Sequence, residues 1–379
     1  MIERVKIGCS AAKQPQQAIM ELKQQLDQPD LGLVLVFFSI DYDLPAIAAE
    51  LESAFAGVTV VGCTTAGEIG PLGYSRGSIS GISFPAADFS ASVGLFSRLQ
   101  DLSLGTWRQS AARLHGKHNQ RYQLIDDDGT FGLLLVDGMS IREEPLVRMV
   151  TSVMSHIPII GGSAGDDLHF ESTYVLHQGK LYADSALLIL ITTALPFKAF
   201  KAQHFVSTDQ RMVVTAALPE QRIVTEINGR LAGPEYARLL GVDAQQLTPM
   251  VFAAHPVVVK MGDSEYVRSI QKVNDDGSLT FFCAIDVGIV LRIASGVDLV
   301  TNLSNTFKGL KETLGPAQAM ITCDCILRRL EIEQKGLSEQ VSELLKENRS
   351  IGFSTYGEQI DGIHVNQTCT GIVIGYERD

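Results

Sequence analysis

Apolar and polar positions in the first seventy residues switch between two periods. Pro15–Leu26 carries apolar side chains at helical spacing, and Leu33–Ser39 (LVLVFFS) is an unbroken apolar run. Asp43–Phe55 returns to helical spacing, with Asp43 placed to cap the helix and Pro45 in its first turn. Val58–Gly62 is apolar again. A helical period between two buried runs predicts β-α-β units with parallel strands joined by crossovers.

The rhythm then changes. Ser78–Phe96 is rich in Gly, Ser and β-formers and predicts antiparallel strands. Leu104–His115 predicts a helix. Gly132–Val136, Glu144–Ser155 and Ile157–Gly161 repeat the strand-helix-strand order and end at GGSAGDD, residues 161–167. From Phe170 to about Thr225 the pattern is β-rich, with a hairpin centred on His177–Lys180. A helix is expected around Pro234–Leu240, and strands at Pro256–Lys260, Val267–Val273 and Leu279–Cys283, with Asp276-Gly277 as a hairpin turn. The last unit reads as strand Ala319–Cys323, one long polar helix Leu330–Asn348, and a closing strand over Gly371–Gly375. The expected class is α/β, as two related domains whose sheets mix parallel and antiparallel strands. They are assigned to residues 1–200 and 201–379, with the junction between about 195 and 225.

Composition narrows the function classes. The chain has 379 residues, 45% of them hydrophobic, and a net charge of −12. That acidity argues against a nucleic-acid or anionic-membrane surface, which needs clustered Lys and Arg. Ala186–Ala194 is the most apolar stretch and is too short to span a bilayer, which takes about 20 residues. The N-terminal MIERVKIGCS has no apolar signal region. Six scattered Cys form no disulfide framework, so a cytoplasmic location is expected.

One motif occurs twice. GCTTAGEIG at 62–70 and GFSTYGEQI at 352–360 both fit G-x-[ST]-T-x-G-E, and GGSAGDD is a weaker echo. Glycines allow close backbone approach, hydroxyls bond nearby backbone groups, and the Glu can accept from exposed N–H groups. The motif reads either as a structural turn in a repeated fold or as a ligand-binding rim at the carboxyl ends of strands. Pattern alone favours the structural reading. No Walker A loop, G-x-G-x-x-G, G-x-S-x-G or H-E-x-x-H is present, so no enzyme is expected.

These turns, with EINGRLAGPEY at 226–236, CDCILRR at 323–329 and HVNQTCT at 364–370, resemble the FIST proteins. That resemblance spans about residues 30–375. It implies paired FIST N and FIST C sensory domains in bacterial signal transduction, which bind small ligands and inform kinases or cyclases. A FIST chain without an output segment further resembles the nitric-oxide-sensing haem branch. This implies non-covalent haem b, nitric oxide as signal, and a histidine kinase or cyclic-di-GMP enzyme as partner, with homo-oligomerisation open.

Haem needs an axial ligand, an apolar slot and propionate partners. On the branch resemblance His204 is the expected iron ligand, with Phe205 lining the slot and Lys201 and Arg211 meeting propionates. His255, in FAAHPVVV, is the alternative ligand. His115 and His118 read as solvated. The competing account is a haem-free sensor of an amino acid or another small metabolite, with Glu68, Glu358, His364 and Asn366 near its pocket. Cys323 and Cys325 read as buried structural thiols, with metal binding, redox sensing or haem thiolate ligation as minor options.

Overall fold

The computed structural model describes residues 2–101, 103–122, 129–262 and 264–377. The expected mixed α/β class is what it contains, with parallel and antiparallel pairs in the same sheets. Its connectivity goes further than a pair of related halves, because one element order occurs three times.

In the first unit the order is strand Lys6–Ser10, helix Pro15–Leu26, strand Leu31–Ser39, helix Leu44–Ala54, strand Thr59–Thr65, a hairpin over residues 68–75, and strand Ile79–Pro85. The second unit repeats it from Phe89–Ser97 to Ser185–Thr193. The third begins with strand Phe197–Ala202 and resumes at helix Leu299–Leu314, ending with Cys369–Gly375. Between those two points lies an insert, residues 205–296, with its own antiparallel sheet and apolar core.

Strands Leu31–Ser39, Thr130–Val136 and Ala317–Cys325 hold equivalent places. Each is buried on both faces, which is why each reads as a continuous apolar run. Leu33, Leu35 and Phe37, with Phe131, Leu133 and Leu135, and Ala319, Ile321 and Cys323, all enter one central core. The alternate residues turn outward onto each unit's own helices.

The three units exchange hairpins in a ring. The first unit's hairpin pairs with strand Ser350–Thr355 of the third, with Ile69 opposite Gly352. The second unit's hairpin, at 175–182, pairs with Thr59–Thr65 of the first. The third unit's hairpin, at 358–365, pairs with Ile159–Ser163 of the second. Gly62, Gly161 and Gly352 sit at the same place in this scheme. A Cβ there would lie 1.9, 2.0 and 1.8 Å from the carbonyl oxygens of Val36, Leu134 and Thr322. Only glycine lets the parallel strands approach that closely.

Several sequence expectations change. Ser78–Phe96 does form two antiparallel strands, Ile79–Pro85 and Phe89–Ser97, but they belong to different sheets. The expected long helix is two, Ile326–Gln334 and Ser338–Glu347, because Gly336 takes a left-handed φ of 67°. Val267–Val273 breaks into Ser264–Arg268 and Ile270–Val273. His118, expected on the surface, is buried between Ser92 Oγ and Thr192 Oγ1, each at 2.8 Å. No helix among the described residues is long and apolar enough to cross a membrane.

Candidate functional site

The three glycine-framed turns follow the carboxyl ends of the parallel strands, and the hairpin exchange brings them together. Ala66 N donates to Ser354 O at 3.0 Å, and Ser354 N to Gly67 O at 2.7 Å. Gly165 N donates to Thr64 O at 3.1 Å, while Ser163 N reaches Gly357 O at 2.8 Å. Thus every turn is tied to both others.

The acids of the two full motifs are held in matching cages. Glu68 accepts from Thr65 Oγ1, from Ser78 N at 3.1 Å and from Ser78 Oγ at 2.5 Å. Glu358 accepts from Thr355 Oγ1, from Thr368 N at 3.3 Å and from Thr368 Oγ1 at 2.8 Å. Burial pushes the Glu68 carboxyl up to about 7 and that of Glu358 to about 8, against the lowering by these hydrogen bonds. Both side chains are fully buried and bonded inside the fold, where they brace the turns.

The insert lies over this ring and is clamped to two units. Arg222 places its guanidinium between Glu143 at 2.6 Å, Glu144 at 2.5 Å and the Phe282 carbonyl at 2.6 Å. Arg268 donates to the His364 carbonyl at 2.9 Å, and Ser269 N to Asn366 Oδ1 at 3.3 Å. A cavity of about 100 Å³ remains at this junction, bounded by Gly138, Glu143, Phe170, Arg222, Phe282 and Tyr356. The Tyr356 hydroxyl donates to Asp166 and accepts from Leu168 N at 2.9 Å, which fixes the aromatic wall.

Two of the four residues expected near a small-ligand pocket converge beside this junction. His364 and Asn366 are buried, and the would-be Cβ of Gly357 is 2.5 Å from His364 Nε2 and 3.1 Å from Asn366 Nδ2. Neither nitrogen has a hydrogen-bond partner among the described residues. Gln359 Nε2 donates to His364 Nδ1 at 3.1 Å. Burial lowers the His364 pKa, opposed by the Glu144 and Glu143 carboxylates, and with Nδ1 accepting the proton rests on Nε2. Both nitrogens pack against the Cα of Gly357, which the missing side chain permits, and each is an N–H donor without a partner among the described residues.

The residues expected to hold haem are not brought together. His204 is fully buried, and its ring uses both nitrogens: Nε2 lies 2.9 Å from Glu331 Oε2 and Nδ1 accepts from Arg328 at 2.9 Å. Arg328, also buried, donates to Asp324 at 2.7 Å. Phe205 packs on the His204 ring at a centroid distance of 4.1 Å. The Lys201 ammonium lies 4.7 Å above Tyr266, Arg211 is exposed on strand Phe205–Leu218, and exposed His255 ends helix Pro249–Ala254. With no free ring nitrogen at His204 and no gathering of the other groups, these residues do not fit haem. Cys323 and Cys325 are buried, and burial pushes their thiols well above the ordinary range, as expected of structural cysteines. No cluster of three or more metal-capable side chains occurs among the described residues.

A larger depression, about 870 Å³, lies between the first and second units beside Lys117, Arg121 and His177. A smaller one of about 450 Å³, beside Lys6, Gln25 and Arg349, occupies the corresponding junction of the third and first units. Their recurrence marks them as seams of the ring. Sequence reasoning missed Arg222, Glu143 and Glu144, which come from separate segments with no motif. Tyr356 was visible inside the second motif but carried no signal of its own.

Residues 32–230 match the model of the FIST N domain and residues 232–361 that of the FIST C domain. An uncharacterized protein of Methanocaldococcus jannaschii is 22% identical over 292 residues, covering 67% of this chain and 56% of its own length. The chain thus spans little more than half of that relative. A solved cyanuric acid hydrolase aligns over 98% of this chain and 99% of its own, at 7% identity and a TM-score of 0.44, too low to bear on fold or chemistry.

Proposed function

The chain belongs to the FIST family, and on that premise we propose that it is a sensory signal-transduction protein that binds a small, acceptor-bearing ligand where the insert covers the ring of turns. The observation that carries this reading is the pair of buried, unpartnered donors, His364 Nε2 and Asn366 Nδ2, facing Gly357. Buried polar groups left unpaired cost about 1–3 kcal/mol each, and a ligand that pairs them recovers that cost. In this reading the site binds and does not turn its ligand over. Occupancy changes how the insert sits on Glu143, Glu144 and the His364 strand, and a partner protein reads the difference.

The test is a thermal-shift screen of small carboxylates, amino acids and amides on the full chain, beside absorption spectra taken with haem, dithionite and nitric oxide. A ligand at about a hundred times its Kd adds roughly 2.7 kcal/mol of stability. The expected result is a compound that raises the Tm of the native protein and not that of Asn366→Ala. A Soret band that shifts with nitric oxide and disappears in His204→Ala would instead establish a haem sensor and overturn this reading.

A further inference from the structure

We propose that the outer face of the insert docks an acidic, apolar segment of a partner protein. The insert's inner sheet face carries Met212, Val214, Leu291 and Ile293 into its own core. On the outer face Val213 stands opposite Val290, and Arg211 opposite Arg292. Val213 is 37% exposed and Val290 48%. Arg292 also registers with Val258, and Lys260, two residues further along that strand, shares the face and is exposed.

Three cations and two valines thus form one surface on a chain whose net charge is −12. None of the three cations has an ion pair or hydrogen bond among the described residues. Glu265 stands directly opposite Lys260 and is also held by Ser207 N at 3.1 Å, which leaves Arg211 and Arg292 as the like-charged pair at the centre of this face. Like charges directly opposite on neighbouring strands destabilise a sheet, and a cross-strand valine pair gains nothing from water. An acidic segment with small apolar side chains would relieve both. The wider distribution agrees: six of the twelve exposed large apolar side chains among the described residues lie in the insert, at 206, 213, 218, 231, 287 and 290. The surface belongs to the element that covers the proposed ligand site, so docking there couples a partner to insert position.

Methyl NMR of the full chain tests this, with Val213 and Val290 as reporters and a short alternating Val-Glu peptide and its Val-Lys counterpart as probes. The expected result is a salt-sensitive shift of both valines with the Val-Glu peptide. Arg211→Glu/Arg292→Glu should weaken that response by roughly tenfold and transfer preference to the Val-Lys peptide. Thermal melts of the variant should stay close to those of the native protein, since one like-charge pair replaces another at the same cross-strand position. No shift at millimolar peptide, equal shifts with both peptides, or shifts that track protein concentration alone would overturn the proposal. The last would make a second copy the occupant.

Discussion

The turn around Glu68 and the turn around Glu358 are nearly superimposable in chemistry, yet only one borders the candidate site. Each has a Thr three residues before the Glu and a Ser or Thr ten residues after it, and both hydroxyls bond the carboxyl. Their surroundings differ. Glu68 has the Arg329 cation nearby, whereas Glu358 has the Asp324 carboxylate. The turn of Glu358 also carries Tyr356 and leads to His364 and Asn366, over which the insert closes. The comparison separates what the repeat is for from what the protein does with it. The caged acid braces its turn at both places, and the buried donors proposed to meet a ligand lie where an added element encloses one copy.

The sharpest way to break the comparison is at the glycines. Gly62→Ala, Gly161→Ala and Gly352→Ala should each cost more than about 3 kcal/mol and abolish soluble folded protein, because each Cβ would meet a backbone carbonyl that cannot move alone. One tolerant site, read by denaturant melts, would show that the three units are not equivalent.

Next in size is the clamp. Arg222→Ala leaves Glu143 and Glu144 facing each other without their shared cation, and should lose roughly 3–5 kcal/mol. Melts with separate reporters on the insert and the ring should show the insert loosening first.

A smaller effect distinguishes the two cages by pH. A raised carboxyl pKa means the folded state keeps a proton that the unfolded chain has released. Stability therefore falls as pH rises from the ordinary carboxylate range, by about 1.4 kcal/mol per unit for each group, and levels off above the folded pKa. For Glu68 the fall ends at about 7 and for Glu358 at about 8. Between those two values Glu358→Gln should flatten the stability profile, while Glu68→Gln should leave it sloping. Chemical denaturation across that window reads the difference.

The smallest expected effect lies outside the cages. Arg76 joins the first unit's hairpin to Glu333 of the third at 2.9 Å, but both are substantially exposed. Arg76→Ala should change stability by less than about 1 kcal/mol. A larger loss would mean that the hairpin exchange depends on its rim.

Much of the local architecture was legible along the chain. Asp43 caps its helix as expected, bonding Ala46 N at 3.0 Å, and the runs LVLVFFS and ALLILITT are strands buried on both faces. The repeated G-x-[ST]-T-x-G-E, favoured on pattern alone as a structural turn, places a Glu hydrogen-bonded inside the fold at both positions. His204 shows where such reading fails. Its aromatic and cationic neighbours in sequence suggested a cofactor slot, but strand alternation sends Arg211 outward, and Glu331 and Arg328, more than a hundred residues away, take both ring nitrogens.

The sequence by itself determined periodicity, turn chemistry and family, because these depend on neighbours a few residues apart. Only the tertiary structure decided that the repeat is threefold, that each hairpin leaves its own unit, and that Arg222 meets Glu143 while Ser269 meets Asn366. Those pairings join residues far apart in the chain. They are fixed by burial and by the need to bond every edge of the exchanged strands, neither of which a local pattern encodes.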